Sequence, residues 1–124
     1  MQTSEVLNRA ADLIEQRGWT QATGWPMVGA DDAPLCLEGG VAAALGIEFP
    51  QVKKAKAVDL GTGLYDDLLT CPSFLAVKRY LGVGAFLFRW NDETDRTANE
   101  VIEVLRATAL VEAARETETA QVLA

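Results

Sequence analysis

Histidine is absent from this sequence of 124 residues. The side chain that most often serves as general base and as metal ligand is therefore missing. A Ser-His-Asp or Cys-His catalytic site cannot be assembled from these residues. Neither of the glycine motifs that bind dinucleotides or nucleoside triphosphates is present. The sequence therefore predicts no metal site and no cofactor, and it favours a protein that is not an enzyme.

Cysteine is scarce, with only Cys36 and Cys71, and no Cys-x-x-Cys pair occurs. Two cysteines are too few for a disulfide framework, and thiols are the default state of cysteine in the cytosol. The N-terminus lacks the basic and then apolar pattern of a signal peptide. No apolar run approaches the ~18 residues that a membrane-spanning helix needs. We therefore expect a cytoplasmic protein.

Basic residues are outnumbered, 11 against 18 acidic ones, which gives a formal net charge of −7 and a pI near 4.5. Non-specific binding to nucleic acids or to anionic membranes needs a basic surface. The sequence therefore predicts neither nucleic acid nor membrane as a partner. Mimicry of nucleic acid by an acidic surface is a less favoured alternative, because the acidic residues are scattered along the chain.

The composition is that of a folded protein, with 49% hydrophobic and 23% charged residues. A chain of this length folds most simply as one domain, here residues 1–124, and buries roughly two-thirds of the surface that its unfolded form exposes. Apolar residues recur mainly at helical spacing. We expect a mainly α-helical domain of four to five helices.

Capping residues and glycines mark where these helices begin and end. Thr3 or Ser4 is expected to cap the first helix, which ends before Gly18. The stretch from Trp19 to Leu35 is rich in turn formers and β-favouring residues, and it is compatible with a small β-hairpin. A short helix is expected from Cys36 to Gly46.

Three further segments complete the predicted fold. Cys71-Pro72 is typical of a helix start, and that helix is expected to end at Gly82 with Phe74, Leu75, Val77, Tyr80 and Leu81 as its apolar face. The apolar run from Val83 to Trp90 predicts a short strand or an extended connector. The last helix should run from Thr97 to about Glu116 or further, and the tail from about residue 117 is expected to fray or to meet a partner.

Gly39 and Gly40 lie inside the second predicted helix, where each costs up to ~1 kcal/mol relative to alanine. Glycine is tolerated there when another group packs close to the backbone. Close helix packing is the favoured interpretation, and approach of a ligand is the alternative.

The stretch RWNDETDRTANEV, residues 89–101, is the most polar in the chain. Thr97 and Glu100 have the spacing of a capping box at the start of the last helix. Arg96 is expected to pair with Asp92 or Asp95 across the preceding turn. These structural roles are the favoured interpretation, and a binding role for Trp90, Asp92 and Arg96 is the alternative.

Three blocks of sequence resemble a family of small bacterial proteins of unknown function that is common in actinobacteria and occurs in their phages. The blocks are GWTQ at 18–21, CLEGGVAAA at 36–44 and the Trp-Asn-Asp…Arg-Thr segment at 90–97. Where such proteins often carry a Pro-Gly turn, this sequence has residues 93–95, Glu-Thr-Asp. The resemblance implies a helical fold and an origin, and it implies no mechanism.

Two functions compete on these observations. The first is a protein-binding module, phage-encoded and directed at a host protein, with a homodimer through the last helix as a compatible assembly. Its predicted binding residues are Trp19, Trp90, Asn91, Asp92 and Arg96. The second is a thiol-dependent enzyme or sensor centred on Cys36, since a helix N-terminus favours the thiolate form. A buried, inert Cys36 is the preferred interpretation, and the same reasoning applies to Cys71.

Overall fold

A computed structural model describes residues 1–21, 33–47, 70–84 and 87–123 of the chain. In these ranges five α-helices are present: α1 (Thr3–Arg17), α2 (Leu37–Ala44), α3 (Pro72–Leu81), α4 (Leu87–Asn91) and α5 (Ala98–Leu123). The predicted mainly α-helical class is confirmed. No strand occurs within the described ranges, where an isolated parallel bridge joins Trp19 to Leu35. The predicted hairpin is not seen there, and its central residues, 22–32, lie outside the described ranges.

The first helix is the centre of the core and packs against α5 on one side and α2 on another. Its buried face carries Val6, Leu7, Ala10, Ala11 and Ile14. From the other helices the core takes ten further residues of at most 2% exposure: Leu37, Val41, Ala42, Phe74, Ala76, Val77, Leu87, Val101, Leu105 and Ala109.

Polar contacts fix α1 and α5 side by side at both ends. The Glu116 carboxylate accepts hydrogen bonds from the Ser4 backbone N–H at 3.0 Å and from the Ser4 hydroxyl at 2.6 Å. Arg106 lies 2.9 Å from the Asp12 carboxylate and 3.1 Å from that of Glu15. The two helices therefore run in opposite directions, with the start of α1 beside the last third of α5.

The predicted helix limits need two corrections. The residue that caps α1 is Gln2 rather than Thr3 or Ser4, and its backbone N–H donates to Glu5. The run from Val83 to Trp90 is not a strand, because its residues from Leu87 onward form α4. The last helix was expected to reach Glu116 or further, and α5 does continue as a helix through residues 117–123.

The predicted apolar face of α3 is correct for Phe74 and Val77 and wrong for Leu75 and Tyr80. Phe74 and Val77 are fully buried, whereas Leu75 is 40% and Tyr80 47% exposed. Helix α3 begins after Cys71 and ends at Gly82, which has the left-handed backbone that favours glycine. Tyr80 is therefore presented to solvent near the end of a well-defined helix.

Gly40 of α2 packs closely against α1. A Cβ atom at this position would lie 2.8 Å from Ile14 Cδ1, 3.1 Å from Ile14 Cγ1 and 3.4 Å from the Ala10 carbonyl oxygen. The predicted role of this glycine in close packing is confirmed.

Gly40→Ala is expected to lower the free energy of unfolding by about 1 kcal/mol, because overpacking costs ~1–3 kcal/mol and the better helix propensity of alanine returns up to ~1 kcal/mol. In an Ile14→Val background, which lacks the Cδ1 atom but keeps a methyl group near the Cγ1 position, the same substitution should cost less than in the wild type. Urea denaturation of the wild type, the two single variants and the double variant measures this coupling. An equal cost of Gly40→Ala in both backgrounds would contradict the packing described.

Candidate functional site

Asn91, the last residue of α4, is fully buried and joins three parts of the chain. Its side-chain Oδ1 accepts hydrogen bonds from Trp19 Nε1 at 2.7 Å and from the Leu37 backbone N–H at 3.0 Å. Its Nδ2 donates to the Thr20 carbonyl at 3.1 Å and to Asp92 Oδ1 at 3.0 Å. One amide therefore connects the segment after α1, the start of α2 and the end of α4.

Gln21 adds a second connection between the same segments. Its side-chain Nε2 donates to the backbone carbonyls of Asn91, at 3.0 Å, and Glu93, at 2.8 Å. The turn after α4 is thereby held to the segment that follows α1. The position of Trp90, directly before Asn91, is fixed by these contacts.

Cys36 caps α2, but its surroundings disfavour a thiolate. The buried Sγ atom accepts a hydrogen bond from the Gly39 N–H at 3.3 Å. Burial raises the pKa of the Cys36 thiol to about 12, and it outweighs the Gly39 N–H, which lowers this pKa; the negative charges of Glu38 and Asp92 act in the same direction as burial. The geometry therefore places a protonated thiol at this helix start at neutral pH, which does not support nucleophilic chemistry there.

Arg96 lies flat against Trp90, on the outer side of this region. The guanidinium carbon is 3.8 Å from the centre of the Trp90 ring, a cation–π arrangement. Arg96 Nε donates to the Trp90 carbonyl at 3.0 Å, and Nη1 lies 3.0 Å from Glu100 Oε2. Arg96 thus forms its ion pair with Glu100, in place of the expected Asp92 or Asp95.

The predicted capping box at the start of α5 is confirmed. The Thr97 hydroxyl accepts from the Glu100 N–H, and Glu100 Oε1 accepts from the Thr97 N–H, each at 3.2 Å. The hydrogen bond from Arg96, followed by that from Thr97, lowers the pKa of the Glu100 carboxyl. Glu100 is therefore occupied twice, by the capping box and by Arg96.

A surface groove of about 360 Å³ lies next to this stacked pair, between the end of α3, α4 and the first half of α5. We call it the Tyr80 groove. It is lined by Tyr80, Trp90, Glu100, Glu103, Val104 and Ala107. Tyr80 and Trp90 contribute aromatic surface, whereas Glu100 and Glu103 contribute carboxylates. Within the described ranges no Lys or Arg forms an ion pair with Glu103.

The predicted site residues thus divide between an inner and an outer group. In the inner group, Trp19 and Asn91 hydrogen-bond each other near the start of α2, which Cys36 caps. Trp90 and Arg96 stack on the outer side, toward the groove. Asn91 is fully buried, so its side chain positions its neighbours and does not reach a partner in this structure.

Tyr80 and Glu103 were not among the predicted site residues. In the sequence, Tyr80 stands among the apolar residues expected to face the core, and Glu103 stands among the solvated residues of the last helix. Only the packing of α3 against α5 brings the two side chains together. A tyrosine among the apolar residues of a short helix is a weak hint of such an exposed aromatic.

The described part of the chain contains no group of three or more Cys, Asp or Glu side chains placed to hold a metal ion. No helix among the residues that the structure describes is both long enough and apolar enough to cross a membrane.

The model of a family of unknown function, DUF6197, matches residues 1–111. Neither the curated proteins nor the solved structures contain a match to the chain. The match covers every helix up to the middle of α5, including the residues of the Tyr80 groove.

Proposed function

The chain belongs to DUF6197, a family of unknown function, and we propose that it is a protein-binding module whose contact surface is the Tyr80 groove. The observation that carries the proposal is the exposure of an aromatic ring, Tyr80, beside Trp90 in a concave surface. Aromatic side chains in such positions are typical of binding hot spots between proteins. They supply a large contact area at a small cost in conformational entropy.

The groove is built on a rigid support, which favours recognition. The Arg96 guanidinium packs against the Trp90 ring. The next residue along the backbone, Asn91, is anchored by hydrogen bonds to Trp19 and Leu37. Preformed contact residues lose little freedom when a partner binds, so more of the contact energy remains as affinity. Asn91 and Trp19 therefore act as positioning residues behind the surface and Arg96 supports the Trp90 ring, whereas Tyr80 and Trp90 are offered to the partner.

The alternative, a thiol-dependent enzyme or sensor, receives less support. Cys36 is buried, and its thiol has a pKa raised to about 12. Activated cysteines have a lowered pKa and partial exposure instead.

We further propose that the protein is cytoplasmic, that an actinobacterium or its phage encodes it, and that its partner is a host protein. Among the described residues Cys36 and Cys71 form no disulfide, which suits a reducing compartment. A homodimer through α5 is a second candidate, because Leu110 on that helix is 75% exposed.

Tyr80→Ala is expected to abolish capture of a specific protein from an actinobacterial lysate, since the variant loses the exposed aromatic wall of the groove. The matched control is Leu110→Ala, which removes an exposed apolar side chain from α5 outside the groove. Immobilised wild type and both variants are compared by quantitative mass spectrometry after far-UV circular dichroism has verified their folds. Tyr80→Ala is preferred to Trp90→Ala, because Trp90 also supports Arg96.

The proposal predicts a protein that wild type and Leu110→Ala retain and that Tyr80→Ala loses by at least roughly tenfold, the effect of a side chain worth about 1.4 kcal/mol. Identical capture by all three chains would contradict it. Loss with Leu110→Ala alone, together with a change of mass in solution, would move the contact surface to α5 and support the homodimer.

A further inference from the structure

We infer that the Tyr80 groove receives a cationic side chain, a lysine or an arginine, from the partner protein. This inference rests on the proposed function, and it adds the chemistry of the group that is bound. Three features of the groove lead to it. The Glu103 carboxylate has no ion pair within the described ranges, the Glu100 carboxylate is already paired with Arg96, and the walls include aromatic rings.

Glu103 is the available carboxylate. It is exposed on α5, it lines the groove, and no Lys or Arg of the described ranges pairs with it. Among the other glutamates of α5, those at 100, 112 and 116 have polar partners, namely Arg96, Arg79 and Ser4, whereas Glu118 lies away from the groove. Glu103 therefore adds a negative charge to the groove that the fold does not use.

Glu100 and Arg96 largely cancel each other on the other side of the groove. Their side chains lie 3.0 Å apart, and Glu100 also accepts from Thr97. The charge that remains in the groove is thus that of Glu103. A chain with a net charge of −7 adds to this potential at longer range and attracts a basic segment during association.

The aromatic walls suit a cation as well as an apolar group. The packing of Arg96 on Trp90 shows that this tryptophan already accepts a guanidinium against its ring. Tyr80, which is 47% exposed, offers a second aromatic ring in the same groove. The alkyl part of the partner's lysine or arginine would pack against Val104 and Ala107, and its charged end would pair with Glu103.

A pair of blocked peptides tests the inference: acetyl-Ala-Leu-Arg-Leu-Ala-amide, and the same peptide with citrulline in place of arginine. Citrulline has nearly the shape of arginine and carries no charge. Binding is followed on ¹⁵N-labelled protein from the indole N–H signal of Trp90 and the backbone signals of residues 100–107. Glu103→Gln is compared with Glu118→Gln, which removes the same charge from an exposed part of α5 away from the groove.

The arginine peptide is expected to shift the Trp90 and 100–107 signals, and citrulline or Glu103→Gln should weaken binding by roughly fivefold, as expected for a partly exposed charge pair. Glu118→Gln should leave the affinity within about twofold. Equal binding of both peptides, no binding, or shifts outside the groove would each overturn the inference. If the peptide experiment failed but lysate capture still depended on Tyr80, the inferred cation would be wrong and the proposed function would stand. The failure of the inference is therefore distinguishable from the failure of the proposed function.

Discussion

Asn91→Ala is expected to lower the free energy of unfolding by about 3 to 5 kcal/mol, which is the largest effect anticipated for a polar residue in this protein. The side chain is fully buried and takes part in four hydrogen bonds. Alanine would leave the Leu37 N–H, the Trp19 indole N–H and the Thr20 carbonyl without this partner. Each buried group that loses its hydrogen bond costs about 1 to 3 kcal/mol, and partial access of water keeps the sum below the maximum. The loss is a large part of the 5–15 kcal/mol that typically stabilises a domain.

Urea denaturation of the wild type, Asn91→Ala and Asn8→Ala measures this effect. Asn8 is exposed on α1, so the control removes the same amide from a solvated position and should change stability by at most about 0.5 kcal/mol. A loss of less than about 1 kcal/mol in Asn91→Ala would show that the amide is not the connection described. Asn91→Asp should also destabilise the fold, because it keeps the acceptor but places a second carboxylate beside Asp92.

Stability is expected to fall by about 4 kcal/mol between pH 9 and pH 12 because of Cys36 alone. The folded protein holds this thiol with a pKa of about 12, against an ordinary value of 9.0. The unfolded chain therefore releases the proton first as the pH rises, and deprotonation favours unfolding. The contribution is fully present below about pH 9 and is lost as the pH approaches 12, at about 1.4 kcal/mol for each pH unit.

Cys36→Ser isolates this effect, since a serine hydroxyl also caps a helix and does not ionise in this range. The free energy of unfolding is measured by urea denaturation from pH 8 to about pH 11 for wild type, Cys36→Ser and Cys71→Ser. Wild type and Cys71→Ser should share the steeper decline, and the Cys36→Ser curve should be flatter. Parallel curves for all three would contradict the burial of a protonated Cys36 thiol.

Local signals account for most of the helices. Val6, Leu7, Ala10 and Ile14 recur at helical spacing and form the buried face of α1, and Pro72 and Gly82 bracket α3 as their backbone preferences require. Helix α4 was missed because five residues are too short to display a helical period, and its apolar residues are equally compatible with a strand.

The candidate site was only partly predictable, for a different reason. Trp90 and Arg96 were recognised because they stand in an unusually polar stretch, and the structure places them together. The role of Asn91 depends on Trp19, 72 residues away, and on Leu37, 54 residues away. No local pattern encodes such distant contacts, so the sequence indicated Asn91 only as a candidate binding residue. Tyr80 meets Glu103 only through the packing of α3 on α5.

Site-specific photocrosslinking inside cells tests the central claim, that the Tyr80 groove binds a protein, most directly. A benzophenone amino acid is placed at position 80 in one variant and at position 118, which is also exposed, in a matched variant. The account predicts one discrete covalent adduct with a partner protein from position 80 and none from position 118. No adduct from position 80, or the same adducts from both positions, would contradict it.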